Sequence, residues 1–130
     1  MSRLIKFRAW HKEKNIMLSL NDSVFSDNKI WYLNTLECDA VFDVMQFTGL
    51  KDKNRREIYE GDIVKRESVN RSAGGDGIYF VKWNDGYSML GICDKYGFPT
   101  DYHNRFYKII PKKIEVIGNI YENPELLRTD

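Results

Sequence analysis

Few side chains in this sequence stand at spacings that do chemistry. His11, His103, Cys38 and Cys93 are the only imidazoles and thiols, and no two of them form the C-x-x-C or H-x-x-x-H pairs that grip zinc. Nucleophilic catalysis needs an activated Ser or Cys beside a base, and no G-x-S-x-G or comparable context occurs. Cys93 sits in an apolar run and reads as a core residue. Gly74-Gly75-Asp76-Gly77 is glycine-rich, but it lacks the Lys-Ser/Thr of a phosphate loop and the helix of a dinucleotide fingerprint, so it reads as a loop. Asp43 and Asp62 are an acid pair that only folding could bring together. The expectation is a protein that is not an enzyme, with no catalytic residue, metal site or cofactor.

Charge is the chemistry that remains. Arg3, Lys6, Arg8, Lys12 and Lys14 face only Glu13 in the first segment. Arg105, Lys108, Lys112 and Lys113 run without an acid and interleave with Phe106 and Tyr107. Basic side chains neutralise phosphates, and aromatic rings stack on bases. Against that stands an acidic segment, Asp22, Asp27, Glu37, Asp39 and Asp43, which can lie against the basic ones in the same molecule or in a second copy. The chain as a whole is near balance, with 20 basic and 19 acidic residues, unlike a strongly basic nucleic-acid protein. The candidate interaction surface is Arg8, Trp10, Arg105, Lys108, Lys112 and Lys113. Binding or self-assembly through it is the leading reading, and a nucleic-acid-binding small-barrel module is the alternative.

The elements that must position these groups are strands. Leu4 to Trp10 alternates, with Ile5, Phe7 and Ala9 on one face and Lys6, Arg8 and Trp10 on the other. Lys12 to Asn15 is a turn, and Ile16 to Leu20 returns as the hairpin partner. Residues 21–28 read as a loop, 30–33 as a short strand and 36–40 as ambiguous, with a helical turn one option. Val41 to Phe47 carries Val41, Met45 and Phe47 on one face, and Thr48-Gly49 breaks it. Farther on, Ile63 to Glu67, Ile78 to Trp83, Tyr87 to Cys93 and Ile114 to Tyr121 read as strands. Residues 68–77 and 94–104 read as loops, Asn84-Asp85-Gly86 as a hairpin turn, and Arg105 to Ile110 as extended. This rhythm predicts a small β-barrel. Asn123-Pro124-Glu125 predicts a short C-terminal helix, with Asn as cap and Pro in the first turn.

Between the two groups of strands runs Met45-Gln46-Phe47-Thr48-Gly49-Leu50-Lys51-Asp52-Lys53-Asn54-Arg55-Arg56-Glu57-Ile58-Tyr59-Glu60-Gly61-Asp62-Ile63-Val64. The charges of residues 51–56 could mark a binding loop; the simpler reading is a solvated connection with no core residue. This tract, together with Ile5 to Trp10 and Glu115 to Leu127, resembles the signature of the YopX family of phage and prophage proteins. Two positions depart from it: the family usually has Gly where Arg55 stands and Asp where His11 stands. The Gly-to-Arg change puts the Asn-Gly turn of the signature in question. The resemblance implies a viral or prophage origin, a host or phage protein as partner, and a mainly β fold with a Src-homology-3-like barrel, but no established activity.

The 130 residues are enough for one domain. The expected organisation is a single YopX-like domain with an N-terminal antiparallel sheet lobe (1–47), a small barrel (58–121) and a short helix. A chain this size needs no disulfide staple, and two reduced thiols suit a cytoplasmic protein of a bacterial host. No h-region follows the start and no apolar run reaches the ~20 residues of a membrane span, so neither signal peptide nor membrane partner is expected. Leu4 to Trp10 as an open sheet edge, with Trp10 exposed, would favour a homo-oligomer, in which Trp10→Ala weakens assembly more than Trp83→Ala. The competing reading makes that strand interior, with Trp10 packed under the barrel.

Overall fold

The computed structural model describes residues 6–19, 40–67, 77–84, 89–93 and 109–127. They form strands β1 (Phe7–His11), β2 (Ile16–Ser19), β3 (Phe42–Lys51), β4 (Glu57–Tyr59), β5 (Asp62–Arg66), β6 (Gly77–Asn84), β7 (Met89–Cys93) and β8 (Ile114–Asn119). Single 3₁₀ turns, Pro111–Lys113 and Pro124–Leu127, precede and follow β8. The protein is mainly β, as expected, with two antiparallel four-stranded sheets in the orders β2-β1-β3-β4 and β7-β6-β5-β8. Expectations for residues 20–39, 68–76, 85–88 and 94–108 lie outside the described residues.

The first sheet grows from the β1–β2 hairpin, whose turn is closed by Asn15 N–H donating to His11 O at 2.8 Å. β1 then pairs with β3 from Phe7↔Gln46 to His11↔Phe42. β1 is therefore interior, hydrogen-bonded on both sides, and is not the open edge that would have favoured self-association. The Arg8 and Trp10 face is directed at the second sheet, where both side chains find partners.

β3 does not end at Thr48-Gly49. It bends there and runs on to Lys51, pairing with β4 at Phe47↔Tyr59 and Lys51↔Glu57. Between those pairs β3 carries more residues than β4, which makes a bulge. Gly49 absorbs the bend at φ 87, while the Thr48 hydroxyl donates to Ile58 O at 2.8 Å and accepts from Leu50 N–H at 3.1 Å. Ile58 and Tyr59, expected to open the barrel, pair with β3 by their backbone. The Ile58 side chain nonetheless enters the core of the second sheet, beside Val64, Val81, Ile92, Ile114 and Val116. β4 thus belongs to one sheet by hydrogen bonds and to the other by packing.

The second sheet curls into a half-barrel around that core. Its central strand, β5, faces β8 with Ile63↔Gly118 and then Val64↔Val116, so Ile117 is the extra residue of a bulge that increases curvature. Ile114, Val116 and Gly118 are buried along one side of β8, as their alternation predicts. A Cβ on Gly118 would lie 2.5 Å from Asn123 Oδ1, so only glycine lets the C-terminal turn fold back here. That turn is the short helix expected from Asn123-Pro124-Glu125, reduced to one 3₁₀ turn.

The β3–β4 connection keeps a tight turn although Arg55 stands where glycine would be free. Arg55 takes φ 67, a left-handed conformation that costs an L-residue about 1–2 kcal/mol. Arg55→Gly should therefore raise stability by up to about 1 kcal/mol after the added freedom of the unfolded chain is subtracted. Urea denaturation of the two proteins reads this directly; a loss of stability would contradict it.

Candidate interaction surface

The residue that organises this region is Asp52. Sequence alone places it in a solvated run, yet it is only 5% exposed. Its Oδ1 accepts from the Asn54 and Arg56 amides, both at 2.8 Å, and its Oδ2 accepts from the Val116 amide at 2.9 Å. Backbone bonds complete the turn: Asp52 N–H donates to Arg56 O at 2.8 Å and Arg55 N–H to Asp52 O at 2.9 Å. Lys53 N–H reaches Ile114 O at 3.0 Å. One carboxylate thus shapes the hairpin end and fastens it to the outer edge of β8. Burial pushes its pKa up, but the Val116, Arg56 and Asn54 amides and the Arg56 charge outweigh this and hold it below the ordinary range.

A second cluster joins the sheets at the other end of β8. Arg8, 14% exposed at its side chain, donates to Asp62 Oδ1 at 2.8 Å and to Glu60 O at 3.2 Å. Its guanidinium lies over the Tyr59 ring at 4.7 Å. Asp62, 2% exposed, also accepts from Tyr59 N–H at 2.7 Å. Burial raises the Asp62 carboxyl above its ordinary range, with Arg8 and the Tyr59 amide opposing the shift. Trp10 stacks on Tyr121 with ring centroids 5.6 Å apart. Burial of Tyr121, with the charges of Asp43 and Glu60, pushes its phenol up to about 12, so it stays neutral. Asp43 and Asp62 take separate cations, Lys12 at 3.6 Å and Arg8.

The candidate residues thus divide between two places. Arg8 and Trp10 stand at the Asn119 end of β8, half-buried between the sheets. Lys112 and Lys113 stand at its Ile114 end, about 17 Å away along the strand. Arg105 and Lys108 lie outside the described residues. Cations that sequence reasoning left aside join Lys112 and Lys113: Lys51, Lys53, Arg55 and Arg56 are exposed on the turn that Asp52 fastens to β8. Lys53 pairs with Glu67 at 3.1 Å and Glu115 at 3.7 Å. The signal that could have found this place was a lone Asp followed by a turn, flanked by basic residues on both sides. Among the described residues, no group of three or more His, Cys, Asp or Glu could hold a metal ion, and no helix is long and apolar enough to cross a membrane.

The model of the YopX protein family matches residues 6–128, nearly the whole chain. The chain belongs to the YopX family. A search of curated proteins gives no match. Among solved structures, the crystal structure of protein EF1440 from Enterococcus faecalis is similar at 26% identity and a TM-score of 0.57, over 98% of this chain and 100% of that one. The YopX signature therefore covers the hairpin end, the buried Asp52 and the β4–β5 corner with Asp62.

Asp52→Asn keeps one acceptor but turns an amide N–H₂ toward backbone donors. It should destabilise the protein by about 3 kcal/mol, the cost of leaving buried amides unsatisfied. Asp43→Asn, at an exposed pair with Lys12, should change stability by less than about 1 kcal/mol. The Asp52 carboxyl is depressed from 3.8, so its contribution is present above that pH and lost as pH falls through the lower folded value. Denaturant curves should show the gap between wild type and Asp52→Asn narrowing in acid; a gap constant down to pH 2 would refute the assignment.

Proposed function

We propose that this YopX-family protein is a phage or prophage accessory protein of the bacterial cytoplasm. It acts without catalysis, by binding a protein partner or a second copy of itself. The observation that supports this most is how the basic groups of the first sheet are engaged. Arg8 is tied to Asp62, Lys6 to Glu57 at 2.7 Å and Lys12 to Asp43, so three of the first-segment cations that sequence offered to phosphates neutralise acids of the same chain. Ile16, Leu50, Ile110 and Trp83, the last 42% exposed, supply apolar surface of the kind that interface cores use. With β1 interior and Trp10 stacked on Tyr121, the self-association proposed here draws on these side chains rather than on a β1 edge.

Light scattering across a concentration series, with retention of host proteins on the immobilised chain, tests the reading. The expected result is a mass above one chain or a protein retained in stoichiometric amount at physiological salt after nuclease treatment. A single-chain mass with no retained protein, and with DNA or RNA binding that falls steeply as salt rises, would put the nucleic-acid module in its place.

A further inference from the structure

The β3–β4 turn and the Pro111–Lys113 turn are brought together by two contacts, Asp52 Oδ2 with Val116 N–H and Lys53 N–H with Ile114 O. The result is a basic end of the molecule. Lys51, Arg55, Arg56 and Lys112 are exposed and Lys113 is partly so, and among the described residues no ion pair engages these five. Glu57, which faces Lys51 across the β3–β4 ladder, gives its carboxylate to Lys6 instead. Glu67 and Glu115 are both drawn to Lys53. Lys53 sets one charge against these two acids, so one negative charge is left over, and the five other cations still outweigh it to give a net positive surface among the described residues.

The platform is rigid, because three amide bonds to a buried carboxylate and three backbone bonds define the hairpin end. Arg55 is held there in a left-handed conformation that glycine would take at lower cost. A guanidinium fixed in place loses less freedom on binding a carboxylate than one on a mobile loop.

We propose that this basic end binds a short acidic segment of a partner protein through Lys51, Arg55, Arg56 and Lys112. The inference rests on the protein-binding reading above and names the chemistry of the partner. Carboxylates fit better than a nucleic-acid backbone for two reasons. No aromatic ring among the described residues stands exposed at this end to stack on bases; the ring pairs Phe47–Tyr59 and Trp10–Tyr121 are packed between elements. The patch is also one hairpin wide, with glutamates on its flanks, and the chain carries a net charge of only +1, too little to steer a long polyanion.

The test is fluorescence anisotropy with a labelled oligoglutamate peptide and a single-stranded oligonucleotide of equal charge, using the full chain. Oligoglutamate should bind, and Lys51→Glu with Arg56→Glu should weaken it about tenfold or more, that is by about 1.4 kcal/mol or more. Lys112→Glu, on the other turn, should weaken it as well. Lys14→Glu, about 30 Å away at the far end of β3, should leave it unchanged. Arg55→Gly supplies a readout that a folding defect cannot imitate: its melting temperature should rise while its affinity for oligoglutamate falls. Tighter binding of the oligonucleotide, an equal effect of Lys14→Glu, or no oligoglutamate binding would overturn the proposal. Those outcomes would leave the protein-binding reading intact wherever light scattering still shows association.

Discussion

A carboxylate removed from water must be surrounded by donors, and in this protein that requirement fixes the geometry around Asp52. A buried charge left without partners costs several kcal/mol, so the chain around it cannot relax into another turn without exposing or orphaning it. The amides of Asn54 and Arg56 form the near side of the cradle and that of Val116 the far side. The far side matters most for the fold. The outer edge of β8 has its Val116 N–H and Ile114 O occupied by the hairpin, which removes part of an unpaired sheet edge and holds the first sheet against the second. Ile58, two residues past the turn's last cradle amide, can then reach the half-barrel core.

The Arg8–Asp62 contact is a second tie between the sheets, of a different kind. Here both charges are largely buried and neutralise each other, so the pair contributes specificity of docking more securely than net stability. Gly61 sits in the same corner at φ 87, where it donates to Val81 O and accepts from Ile120 N–H, both at 2.9 Å. A side chain there would meet Met45 Sδ at 3.1 Å as well as adopting a costly backbone. The sheets are thus fastened at both ends of β8, by an acid among amides at one end and an acid with an arginine at the other.

The sequence carried the strands well wherever one face was apolar. Alternation located β2, β5, β6 and β8 to within a residue or two, and the family tract told which part of the chain joins them. It failed where polar residues do structural work. Residues 51–56 contain no apolar side chain, and polarity alone reads as solvation; nothing in a pattern of residue types shows that one of six polar groups has three amides waiting for it. The same limit hid the inward direction of Arg8, since a strand with arginine and tryptophan on one face looks amphipathic toward water until an aspartate from a distant strand is known to meet it. β3 was cut short at Thr48-Gly49 because Gly at φ 87 and a hydroxyl bonded to the backbone make a bulge as readily as a break. The gathering of Lys51, Arg55 and Arg56 beside Lys112 likewise depends on a contact between segments 64 residues apart, Asp52 with Val116.

The account depends most on Asp52 being ionised and bonded across to β8 in the folded protein. Carbon-13 nuclear magnetic resonance of the aspartate carboxyls during an acid titration measures this, with the Val116 amide proton followed in the same samples. The account predicts a midpoint for Asp52 below those of the exposed aspartates, and a Val116 amide that stays protected from exchange until that midpoint is passed. An Asp52 midpoint at or above the ordinary aspartate value, or a Val116 amide that exchanges freely at neutral pH, would contradict it.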